Sequence, residues 1–236
     1  MKHFLLIFLF CTLAIGADLL EQIDKKLNPF STESLRQLIN IEPDGTRKEF
    51  VMYMIKKDKT KVASLFLSPA SDKGRATLRV DQNMWLYIPG IAKPLRIASM
   101  QSVTGGVFNN ADIMQVDFSA EYAIASQKES GDLYQLELRA KTPESTYEQL
   151  KMSVDKKTLF PTSIDCIAGG IVLKTIRYLK PKDFGGGIVR PSVLETTSPL
   201  QKGFKSIMVY GSVKKRTFSD AVFTLENLSK LDDLRR

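Results

Sequence analysis

Residues 49–55, Glu-Phe-Val-Met-Tyr-Met-Ile, are apolar on both faces of any strand they form. Side chains alternate across a strand, so Phe50, Met52 and Met54 share one face and Val51, Tyr53 and Ile55 share the other. An antiparallel sheet with one solvated face shows a polar set on that side. Here both faces need cover. Two arrangements supply it: an ordinary sandwich or barrel core, or a sheet with one face lining an apolar cavity closed by helices.

The surrounding chain is strand-rich. Val62–Leu67 and Met84–Ile88 are short, aromatic or β-branched, and separated by turn signals at Asp44–Gly45 and Asp72–Lys73–Gly74, which predicts an antiparallel meander. Leu133–Ala140 alternates cleanly, with Tyr134, Leu136 and Leu138 on one face and Gln135, Glu137 and Arg139 on the other. Leu150, Met152 and Val154 repeat the pattern, as do Val172, Ile176 and Tyr178, and a last strand is expected over Ser206–Val213. Ala98–Tyr122 differs. It is long and irregular, with Gly105–Gly106 and Asn109–Asn110, and Asn110 is expected to cap a short helix over 111–116. A long connection inside a compact β domain points to a lid or binding loop. Helices are expected at both ends. One is capped by Asp18, faced by Leu19, Leu20, Ile23 and Leu27, and ended by Asn28–Pro29; the other carries Leu225, Leu228 and Leu231 after Thr224.

Residues 1–17 have the form of a cleavable secretory signal: Lys2, an apolar run from Phe4 to Phe10, and small residues at Ala14, Gly16 and Ala17. The expectation is a signal peptide over 1–17, a single domain over 18–236, and work outside the cytoplasm. The run is too short to span a bilayer, which takes about 20 residues. Phe10 directly before Cys11 argues against a lipid-anchored cysteine. His3 is the sole histidine and falls in this leader, so the mature chain has no Ser-His-Asp unit and no histidine metal site. Cys166 is left alone as a buried small hydrophobe. The net charge of +8 falls to +7 once Lys2 is removed. The excess is scattered, which suits solvated loops or an anionic membrane surface and implies no nucleic-acid partner. No metal ligand set and no cofactor motif stand out. Asp112, Asp117 and Glu121 are taken as solvated loop carboxylates.

The ordered set Gly74, Leu78, Trp85, Tyr87, Pro89, Arg96 and Ile97, then the glycine-containing loop Gly105–Asp112, resembles the LolA-like outer membrane lipoprotein-sorting proteins. Tyr147, Val154–Asp155–Lys156, Pro161, Phe223–Thr224 and Leu228 extend the resemblance thinly over most of the mature chain. The chain departs from that pattern at Gly106–Val107–Phe108–Asn109, where relatives carry an acidic-aromatic pair, so the lid and its ligand differ in detail. The resemblance implies a mainly β (α+β) fold, an incomplete antiparallel β-barrel closed by a few helices. It implies a non-enzymatic periplasmic carrier that holds the acyl chains of a lipid or lipoprotein, takes cargo from an inner-membrane transporter, touches the membrane transiently and acts as a monomer. Met52, Met54, Phe66, Met84, Leu86, Tyr134, Leu136 and Leu138 are the candidate lining, and Arg96, Gly105, Gly106 and Phe108 the candidate lid or latch. The rival classes are an envelope sensor on the same fold and a carboxylate-dependent glycan hydrolase.

Overall fold

A computed structural model describes residues 11–235, with side chains from residue 19 onward. The first ten residues of the expected signal segment lie outside the described residues. Helix α1 covers Cys11–Leu27, so Asp18 sits inside it instead of capping it. Its apolar stripe is as expected: Leu19, Leu20, Ile23 and Leu27 are buried, and the helix stops at Asn28–Pro29.

Thirteen strands follow. The first half contains β1 (Thr32–Ile41), β2 (Arg47–Lys57), β3 (Lys61–Ser68), β4 (Ala76–Val80), β5 (Asn83–Tyr87) and the two-residue β6 (Leu95–Arg96). After a long connection come β7 (Tyr122–Ser130), β8 (Leu133–Ala140), β9 (Gln149–Asp155), β10 (Pro161–Ala168), β11 (Ile171–Asp183), β12 (Val189–Ser198) and β13 (Gln201–Lys215). All pair antiparallel in one sheet of order β6-β5-β4-β3-β2-β1-β13-β12-β11-β10-β9-β8-β7. The sheet is not closed into a barrel. First and last strands meet in its middle, Leu38 opposite Met208, and the edges are β6 and β7. These edges are consecutive in the chain. Residues 97–121 therefore run from one edge to the other, carrying helices α2 (Asn110–Ile113) and α3 (Phe118–Glu121).

Each face of the sheet has its own core. On the inner face α1, α2 and α3 pack on Phe50, Met52, Met54, Leu136, Leu138 and Met208. On the outer face Tyr53, Ile55, Leu65 and Leu78 pack under Phe218, Phe223, Leu228 and Leu231. The two-faced strand is thus covered twice. The outer cover is a 3-10 segment, Leu225–Arg235. Leucines at intervals of three suit its three residues per turn, although Leu225 itself remains exposed. Arg216 donates to the Leu234 carbonyl at 2.6 Å and holds the segment's end.

Strands β1, β4, β6, β7, β10 and β12 are not among those expected from sequence periodicity; for β1 and β12 the reason is plain. Their inner-facing positions include Ser34, Asn40, Arg190, Ser192 and Thr196, polar residues that are nonetheless buried, so the hydropathy alternation is broken. Replacing Leu228, fully buried in the outer core, by alanine is expected to destabilise the protein by about 2–4 kcal/mol in urea unfolding, without affecting the inner face.

Candidate functional site

The roof over the inner face begins with a tight loop. Ser102 bridges Asn109, and the Val103 amide donates to the Phe108 carbonyl at 3.0 Å. Gly106 is required at its tip: a Cβ there would lie 2.1 Å from Asn40 Oδ1. Asn40 is fixed by Thr104, to whose Oγ1 it donates at 3.0 Å, and by Ser206, whose hydroxyl donates to it at 2.7 Å. Helix α2 opens with a capping box. Asn109 Oδ1 accepts from the Asp112 amide and Asp112 Oδ2 accepts from the Asn109 amide, each at 3.0 Å. The cap is Asn109, one residue before the expected Asn110, and the helix is one turn long.

Four buried carboxylates fasten this roof; for three of them, Asp112, Asp117 and Glu121, this corrects the expectation of solvated loop groups. Asp112 Oδ2 pairs with Lys174 Nζ of β11 at 2.8 Å, and its Oδ1 accepts from Tyr147 at 2.7 Å. Lys174 also donates to the Val107 carbonyl at 2.5 Å. Asp117 pairs with Lys56 of β2 at 2.8 Å. Glu121 pairs with Arg79 of β4, whose guanidinium also reaches the Met114 carbonyl at 3.3 Å. The fourth, Asp24, comes from α1 and accepts from the amides of Phe118 and Ser119 at 2.7 and 2.8 Å, capping α3 from outside. Burial, with Asp117 nearby, pushes the Asp24 carboxyl up to about 6. Burial, reinforced by Asp112, raises the Tyr147 phenol and the Cys166 thiol, so both stay protonated and inert at neutral pH.

Under the roof lies a cavity of about 40 Å³ lined by Phe108, Val116, Leu150, Ile164, Ile176 and Leu194 among others. A wider open groove of about 580 Å³ runs past the end of α1, between Lys25, Lys26, Leu159, Phe160 and Val189.

The sequence-derived candidates fall unevenly. Met52, Met54, Phe66, Met84, Leu136 and Leu138 are buried on the inner face, and Tyr134 packs at its margin. Leu86 is only half-buried. None of these eight lines the cavity, which sits over β9–β12. Phe108 does line it, while Gly105 is an exposed turn residue with φ +76°. Arg96 is exposed on β6 and donates to Asn83 at 2.6 Å. The arginine that bonds a roof carbonyl is Arg79 instead. The signal that could have found it is a lone charge in the strand Ala-Thr-Leu-Arg-Val: a buried arginine requires a partner.

A family model described as an uncharacterized protein matches residues 58–230. The chain belongs to that family. None of the curated proteins matches it. Among solved structures, a LolA superfamily protein from Nitrosomonas europaea is 24% identical, with a TM-score of 0.80 over 89% of this chain and 98% of its own. A domain described as an outer membrane lipoprotein-sorting protein, from Vibrio parahaemolyticus, is 16% identical, with a TM-score of 0.79 over 92% of this chain and 100% of its own. A DUF1329 family protein from Desulfovibrio piger is 20% identical, with a TM-score of 0.78 over 92% and 98%. At these identities the matches establish the fold, which is LolA-like.

Lys174→Met removes the partner of a buried carboxylate and should cost about 3–5 kcal/mol, read by denaturant unfolding; adding Asp112→Asn, which removes the unpaired charge and keeps an acceptor, should restore part of the loss. A pH effect follows from Asp24. Its folded value of about 6 exceeds the unfolded 3.8, so the folded state holds the proton more tightly. The resulting stabilisation, about 3 kcal/mol, is fully present below pH 3.8 and lost as pH rises through 6. Asp24→Asn should flatten that part of the stability–pH curve.

Proposed function

We propose that this protein is a periplasmic carrier that binds the acyl chains of a lipid or lipoprotein on its inner sheet face and performs no covalent chemistry. The observation that carries the reading is an apolar sheet face covered by a roof that packs down on it yet is fastened by ion pairs. A ligand pocket needs roughly 300 Å³ or more, far above the 40 Å³ present, so loading requires the roof to lift. Moving an acyl chain through water costs about 0.8 kcal/mol per CH₂, and an apolar face without reactive groups offsets that cost. The chain would take the places of Phe108, Ile113, Met114, Val116 and Phe118 against the sheet.

The fasteners make lifting cheap. A buried ion pair adds little net stability because its charges lose their hydration. When the roof opens, Lys174–Asp112, Lys56–Asp117 and Arg79–Glu121 recover that hydration, whereas an apolar pair would recover none. Asp112, Asp117 and Glu121 are occupied by these cations, which supports a carrier over a carboxylate hydrolase. Lys25 and Lys26 beside the open groove suit transient contact with an anionic membrane surface. Exchange with an inner-membrane transporter and delivery toward the outer membrane rest on likeness to the lipoprotein-sorting fold.

The test is native mass spectrometry of the protein exported with its leader and purified without detergent. A discrete added mass that fragments as a lipid is expected, together with displaceable binding of a fluorescent fatty acid. A bare mass and no fatty-acid binding would make the inner face plain core. The paired replacement Lys174→Met with Asp112→Asn, which removes the ion pair and keeps an acceptor for Tyr147, should slow fatty-acid uptake about tenfold, equivalent to about 1.4 kcal/mol in the barrier.

A further inference from the structure

The middle of the inner face holds a group of cations that the roof does not explain. Arg36 of β1 and Arg190 of β12 both stack on the ring of Tyr210 of β13, with guanidinium carbons 4.3 and 4.1 Å from its centroid. Lys56 stands near the same phenol. Burial raises the Tyr210 phenol, yet Arg190, Arg36 and Lys56 together outweigh it and the net shift is downward. That is the signature of a strongly positive local field.

The partners of these cations are few. Arg190 is 5% exposed; one of its terminal nitrogens donates to Asn28 Oδ1 at 3.3 Å, and its Nε has no hydrogen-bond acceptor among the described residues. Arg36 donates through Nε to Ser34 Oγ at 3.1 Å and has no ion pair among the described residues. Lys56 has Asp117 alone, and beyond that ion pair its Nζ makes no hydrogen bond. Asp117 is shared further with Asn28, which donates to it at 3.3 Å. Asp24, the other carboxylate in reach, already accepts from two α3 amides. Three cations thus converge near two carboxylates, both already engaged: Asp117 with Lys56 and Asn28, and Asp24 with the α3 amides. Buried guanidiniums ordinarily take acceptors in a planar fork that suits a carboxylate or phosphate.

We propose that Arg36, Arg190 and Tyr210 form a binding site for the oxyanion headgroup, carboxylate or phosphate, of an acyl amphiphile. This deepens the carrier reading and rests on it. The guanidiniums offer donors to the oxyanion, the Tyr210 hydroxyl adds another, and Asn28 and Ser34 complete a polar floor. Met52 sits directly across from Arg36 in the β1–β2 pairing, so an acyl chain leaving the site meets apolar inner face at once. Arg36 is partly exposed as a residue while its guanidinium is buried beside Tyr210, so the head enters with the roof lifted, as the tail does. The cargo is thereby narrowed to anionic amphiphiles, with the head placed at the sheet's centre and the tail under the roof.

The experiment compares full-length mature protein binding dodecyl phosphate, laurate and the neutral dodecyl maltoside, with inorganic phosphate as competitor, by isothermal titration calorimetry. Arg190→Gln and Arg36→Gln should each weaken dodecyl phosphate and laurate by about tenfold or more and leave dodecyl maltoside unchanged. Tyr210→Phe keeps the ring and should weaken both anions less. Thermal unfolding of each variant checks the fold; Arg36→Lys, which retains the charge but not the fork, should fall between wild type and Arg36→Gln if a fold defect obscures the glutamine variants. Equal binding of neutral and anionic amphiphiles, insensitive to both arginines, would overturn the headgroup site and leave the carrier reading standing. Binding of inorganic phosphate without any amphiphile would overturn the amphiphile assignment. No binding of any dodecyl compound would remove the carrier reading, and this inference with it.

Discussion

Everything on the inner face depends on one topological constraint: the two edge strands, β6 and β7, are neighbours in the chain but lie at opposite ends of the sheet. The other sequential strands are joined by hairpin-like connections between adjacent partners. Only residues 97–121 must travel the full width. They cannot do so through solvent without exposing Phe108, Ile113, Met114, Val116 and Phe118, so they lie across the sheet and bury these against it. The same crossing leaves the sheet open. The unpaired edge and the roof are two results of one connection.

A roof laid over an apolar face must still satisfy its own backbone, because one-turn helices leave most of their end groups unpaired. Side chains from distant strands do this work. Asp24 caps α3 from α1, Lys174 reaches the Val107 carbonyl, and Arg79 reaches the Met114 carbonyl. The two cationic ties require counter-charges on the roof, which Asp112 and Glu121 supply. The resulting ion pairs specify where the roof sits more than they add to stability.

The cationic group around Tyr210 stands apart from these ties. Lys174 and Arg79 have matched carboxylates on the roof, whereas Arg36 and Arg190 share an aromatic ring and neutral acceptors. Charge is matched along the roof and unmatched at the centre of the sheet.

Local periodicity determined a good deal. The period-two pattern of residues 49–55 assigns Met52 and Met54 to one core and Tyr53 and Ile55 to the other, and β8 is found over Leu133–Ala140 as its alternation indicates. The irregular stretch from Ala98 to Tyr122 was legible as a long connection because it lacks any period. Only the tertiary structure decided the rest. Pairing of β1 with β13 sets which strands lie beneath the roof, and so moves the cavity from Met52 and Met84 to Leu150, Ile176 and Leu194. Arg79 rather than Arg96 meets a roof carbonyl because β4 lies inside the sheet and β6 at its edge. Arg36, Arg190 and Tyr210 are more than 150 residues apart at their extremes and show no common motif. Periodicity reports which side of a strand a residue occupies; it carries no information about the neighbours that long-range pairing brings to it.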